Sequence, residues 1–138
     1  MEINWIAFAL AVIAQMVVGY VWFLPGVMGK MWARANGATM EDMKPQNMGV
    51  TMGFTIFFTL LFTFWLNLNV NGPGQEDPKF ATFQHGIAHA VALTLFIVLP
   101  MFGTPALYEK RGWNWVLVHA GYWFARMAVA AGILSLMR

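Results

Sequence analysis

The chain has 138 residues, of which 59% are hydrophobic and only 10% charged. A soluble domain carries about 25% charged residues, so lipid is the expected solvent, and the length allows one domain with no separate soluble module. The net charge of +2 sits at segment ends, which reads as membrane topology and not as a nucleic-acid surface. With no cysteine, disulfides, thiolate nucleophiles and Cys-ligated metals are excluded.

Residues 4–24 form an apolar run long enough to cross a hydrocarbon core about 30 Å thick. Glu2 and the absence of any Lys or Arg before the run argue for a retained helix over a cleaved signal. Ala7, Ala11, Gln15 and Gly19 recur every four residues, a small-residue stripe that lets another helix come close. Pro25 and Gly26 should end or kink this helix. A short amphipathic helix is then expected over residues 28–35, with Lys30 and Arg34 beside Met31 and Trp32, lying in the interface. Thr39 and Asp42 have capping-box spacing, and Pro45 suits the first turn of the next helix.

The second crossing, residues 48–70, carries Thr51, Thr55, Thr59, Thr63 and Asn67 at four-residue spacing, which keeps them on one slowly winding face. Two readings are open: hydroxyls bonded to the carbonyl one turn back, or a lined polar path. Phe54, Phe57, Phe58, Phe62 and Phe64 face the other way, toward lipid or a packed neighbour. Residues 71–78 are a loop rich in Gly and Pro. The third and fourth crossings are expected over 82–102 and 113–137, separated by a chain break at Gly103-Thr104-Pro105 and the charged collar Glu109-Lys110-Arg111.

The expected fold is therefore all-α: a single transmembrane domain over residues 1–138, an integral membrane bundle of four up-down helices with an interfacial helix between the first two. Lys30, Arg34, Lys44, Lys110 and Arg111 lie in the first and third connections, against Lys79 and Arg138 on the other side. That bias predicts both termini outside. Leu24-Pro25 and Leu99-Pro100, each followed by glycine, basic residues and tryptophan, echo one another as parallel repeats do in transporters, or by coincidence.

Within the crossings, His85 and His89 share a helical face at a spacing used by metal sites. His119 falls about 10 Å from His89 in depth, too far for one zinc ion, so hydrogen bonding between helices is the expected use and no metal or cofactor is expected. Arg126 comes out level with His89 near mid-membrane. A central arginine costs about 2.5–3.5 kcal/mol on insertion scales and needs partners, yet no acidic residue lies inside any crossing. Its candidate partners are Gln15, the threonines including Thr59, His89, backbone carbonyls, another subunit or a bound anion, for which arginine is well shaped. The missing carboxylate argues against a proton-coupled cation exporter. Ser135 is the lone serine and no phosphate loop appears, leaving nucleophilic catalysis without support.

The chain also resembles the bacterial family known as domain of unknown function 1761, through Asn4-Trp5, Trp22, Pro25, Gly29, Trp32, Asn47-Met48, His85-Gly86, Glu109-Lys110 and Ala120-Gly121-Tyr122-Trp123. The resemblance implies a four-helix protein of the inner membrane and supplies no activity. Two functions are expected to compete. One is a binding or transport protein with a polar intramembrane site for an anion or lipid headgroup, built from Gln15, Thr59, His85, His89 and Arg126. The other is an accessory subunit docked on a larger membrane complex. The bilayer is a partner in both, and the chain is expected to form a homo-oligomer or to be a subunit of a larger membrane complex.

Overall fold

A computed structural model describes residues 2–138, and among them no strand forms. The chain order is α1 (Trp5–Trp22), α2 (Lys30–Ala35), α3 (Met48–Asn71), α4 (Phe83–Leu93), α5 (Leu99–Tyr108) and α6 (Trp113–Leu136). Helices α4 and α5 join through the π-turn Thr94–Val98 into one long rod. Four helices, Trp5–Trp22, Met48–Asn71, Phe83–Tyr108 and Trp113–Leu136, are long and apolar enough to cross a membrane.

Three of the starts are capped by a side chain. Asn4 caps α1 by accepting from the Ile6 and Ala7 amides, Asn47 caps α3 through Val50, and Thr82 caps α4 through His85. The capping box forms: the Asp42 carboxylate accepts from the amide and hydroxyl of Thr39, and the Asp42 amide donates back to the Thr39 hydroxyl. Those bonds favour the charged form and hold the Asp42 carboxyl below the usual aspartate range. Pro45 lies outside α3, which begins at Met48.

The expected break at Gly103-Thr104-Pro105 does not occur, because α5 runs through Pro105 to Tyr108. The two prolines of this rod are handled separately. Pro100 lacks an N–H and its ring crowds the carbonyl four residues back; the π-turn just before it widens the ladder there. The short helix also differs from expectation. It begins as a π-turn at Pro25–Gly29, and Ala33 is buried where α2 packs against α6.

Helix α6 is the axis, touching α1, α2, α3, α4 and α5. Association inside lipid gains little from apolar burial and depends on close packing, and small residues supply it. Ala7 and Ala11 of the predicted stripe are buried with Ala130, Ala131 and Leu134, while Gly19 lies under the Tyr122 hydroxyl. On the other side Gly86 of α4 abuts the backbone at Ala131 and Gly132, and Gly132 lies under the Phe83 ring. One end of the bundle is tied by Asn4 donating to the Met137 carbonyl, by Asn71 to Leu134 (2.8 Å) and by Ser135 to Phe80 (2.7 Å). At the other end the Trp22 indole donates to the Val118 carbonyl at 3.1 Å and its ring fills the space over Gly121.

Candidate functional site: a buried guanidinium

Arg126 lies on α6 ten residues before Leu136, ~15 Å along the axis, a length about half the thickness of a hydrocarbon core. Gln15 is ten residues beyond Trp5 on α1 and reaches the same level. The geometry brings these two together with Thr59 of α3. Arg126 Nε and Nη2 donate to Gln15 Oε1 at 3.1 and 2.9 Å, Nη2 also donates to Thr59 Oγ1 at 3.1 Å, and Nη1 donates to the Tyr122 hydroxyl at 3.1 Å. Gln15 in turn donates to Thr63 Oγ1 at 2.7 Å and to the Ala11 carbonyl at 3.2 Å. Thr55, Thr59 and Thr63 each donate to the carbonyl one turn back at 2.7–2.8 Å, so the hydroxyls are bonded along the helix. Thr59 still has lone pairs to offer Arg126.

Aromatic faces complete the cage. The guanidinium carbon lies 4.5 Å from the Trp123 ring centre, 5.3 Å from Tyr122 and 5.7 Å from Phe62, within the range of cation–π attraction. Arg126 is 6% exposed and Gln15 1%, so the charge is almost wholly removed from solvent. No ion pair to Arg126 occurs among the described residues. The cage therefore offers only neutral dipoles to the guanidinium.

Of the expected site residues, Arg126, Gln15 and Thr59 meet, while His85 and His89 lie elsewhere. His85 donates from Nε2 to the Val70 carbonyl at 3.3 Å and stacks on Phe80. His89 bonds Asn69 Oδ1 through Nδ1 at 2.8 Å, and the two imidazoles meet edge to face. His119 stacks on Phe102 with Trp115 at its edge. Among the described residues no group of three or more His, Asp or Glu could hold a metal ion. Tyr122 and Trp123 were not expected at the site, and Phe62, expected to face away from the threonines toward lipid or a packed neighbour, packs on Trp123 beside Arg126. Tyr122 was within reach of the sequence, because it precedes Arg126 by four residues and such pairs meet on a helix.

A groove of about 460 Å³ runs along α1 and α3, lined by Val12, Ile13, Met16, Val17, Tyr20 and Ile56 and almost entirely apolar. Met16 also contacts Thr59, with its sulfur 3.9 Å from Oγ1. One methionine therefore stands between the groove and the guanidinium's hydroxyl partner.

Some of the segments that carry the family resemblance lie at or beside this arrangement, and others set helix contacts elsewhere. Tyr122 and Trp123 cage Arg126, Gly121 receives Trp22, Trp32 packs on Phe23 and Phe23 on Tyr122, and Gly86 sets the α4–α6 approach. No curated protein and no solved structure matches the chain. A family model described as Protein of unknown function (DUF1761) matches residues 6–135, and the protein belongs to that family.

Proposed function

We propose that the protein binds an apolar organic anion, a lipid-soluble carboxylate or phosphate, that reaches Arg126 sideways from the bilayer through the α1–α3 groove. The observation that carries this reading is the mid-depth cation held only by neutral groups, one side chain away from that groove. Met16 swings aside, since an unbranched thioether changes rotamer at little cost. The anion then replaces the Gln15 oxygen or the Thr59 hydroxyl at the guanidinium, exchanging a neutral acceptor for a charge-assisted bond. His85 and His89 take no part in this site and serve the opposite face of the bundle.

Photo-crosslinking tests the reading. A diazirine-bearing long-chain carboxylic acid should label the peptide containing Met16 in preference to its methyl ester, and Arg126→Met should remove the preference. Equal labelling by acid and ester would sink the proposal.

In the membrane the basic connections face the cytoplasm and both termini lie outside, in the inner membrane. The chain has no native cysteine, so one introduced at position 76 reports cleanly. It should react with an impermeant maleimide added outside, and reaction only from the cytoplasmic face would reverse the orientation.

The second reading, an accessory subunit, has its own support. Residues 48–58 of α3 have no buried member, and nothing stands within 4 Å of a side chain added at Gly53. Gly49 and Gly53 share the spacing that lets a second helix approach. Stoichiometric foreign subunits in a mild-detergent pull-down would favour it, and recovery of this chain alone would count against it.

A further inference from the structure

A second cavity of about 230 Å³ opens at the turn between α5 and α6, lined by Gly103, Ala106, Leu107, Lys110, Arg111, Trp113 and Val116. Thirteen residues of α6 separate Trp113 from Arg126, ~20 Å along the axis, so this cavity is distinct from the buried guanidinium. It lies at the basic end of the bundle. Lys30, Arg34, Lys44, Lys110 and Arg111 outnumber Glu41, Asp42 and Glu109 there, whereas the opposite end is net negative.

The turn has an unexpected residue at its tightest point. Helix α5 stops with the Glu109 amide donating to the Pro105 carbonyl and the Arg111 amide to the Ala106 carbonyl, both at 2.8 Å. This closure requires a left-handed residue between them, the place glycine ordinarily fills. Lys110 occupies it at φ +55, and Gly112 comes two positions too late. A side chain held in a conformation that disfavours it points to a use for that side chain. The Lys110 ammonium has no ion pair among the described residues. Arg111 is fixed by three contacts: Nε to Glu109 Oε2 at 3.0 Å, Nη1 to Asn36 Oδ1 at 3.4 Å, and the guanidinium 4.9 Å from the Trp115 ring centre. One cation is therefore free and one is held in place, beside apolar walls at the level where tryptophan meets headgroups.

We propose that this cavity binds the phosphate of an anionic phospholipid. Lys110 supplies the mobile charge and Arg111 the fixed donor, while the exposed side chains of Leu107 and Trp113 receive the first carbons of the acyl chains. Basic pockets between membrane helices suit such headgroups. A lipid is favoured over free phosphate because the exposed apolar side chains of Leu107 and Trp113 stand beside the two cations.

Lys110→Gly separates binding from folding, since glycine fits the left-handed turn better than lysine does. The experiment is native mass spectrometry of the full chain from micelles containing equal phosphatidylglycerol and phosphatidylcholine, alongside thermal unfolding in the same detergent. The wild type should retain phosphatidylglycerol preferentially. Lys110→Gly should unfold at the same temperature or higher and retain about fivefold less, the worth of one basic residue at an anionic surface. Arg111→Gln should lower retention by a similar factor. Equal retention by the wild type and Lys110→Gly would overturn the proposal. Millimolar inorganic phosphate binding with no preference for the lipid would also overturn it, making the cavity a free-anion site.

Discussion

Gln15→Leu should destabilise the protein by about 2–3 kcal/mol, because it removes from a buried guanidinium the acceptor of its Nε bond and one of the two acceptors of Nη2. Arg126→Met should cost less, about 1–2 kcal/mol. It removes the charge and fills much of the space, leaving Gln15 Oε1 and the Tyr122 hydroxyl short of a donor. The double variant Gln15→Leu/Arg126→Met should be more stable than Gln15→Leu alone, since two apolar groups can replace a buried polar pair with little loss. Unfolding in mixed micelles, followed by tryptophan fluorescence, closes the cycle. Simple additivity of the two substitutions would show that the Arg126–Gln15 contact is not the feature holding α1 to α6.

Gly86→Ala should be strongly damaging, because it forces apart two helices. A Cβ at position 86 would lie 2.2 Å from the Ala131 carbonyl oxygen and 2.4 Å from the Gly132 nitrogen, and backbone cannot rotate away as a side-chain tip can. The helices must separate, undoing the contacts of Ala90 and Met127 behind them, at ~2–3 kcal/mol. Gly53→Ala is the control. Nothing lies within 4 Å there, and alanine favours the helix by ~1 kcal/mol, so that variant should be neutral or more stable. Comparable losses at both positions would mean that glycine contributes helix flexibility and not close approach.

The level of the buried charge was readable from the sequence, and its direction was not. Counting residues inward from the helix ends places Arg126 level with His89, with Gln15, the threonines and His89 as its candidate partners, and of these Gln15 and Thr59 meet it. Depth does not specify which way a side chain points around its own axis. Helix α4 meets α6 at Ala131 and Gly132, and the five residues from Arg126 to Ala131 turn about 140° around α6. Arg126 thus faces α1 and α3 while His89 is left with Asn69. The stripe of Ala7, Ala11, Gln15 and Gly19 was legible because four-residue spacing of small groups has one simple use in lipid. The continuation of α5 through Pro105 was not. A lone proline stops a helix in water more readily than in an apolar surround, where unpaired backbone groups cost more.

The proposed role of Arg126 as an intramembrane anion site is tested by what the protein carries when it leaves the membrane. The wild type and Arg126→Met should be released gently from their own membrane and weighed by native mass spectrometry, with any retained small molecule identified. The wild type should carry an apolar carboxylate or phosphate that Arg126→Met, still folded, does not. The same anion on both proteins, or none on either, would contradict that role and leave the guanidinium as a clasp between α1, α3 and α6.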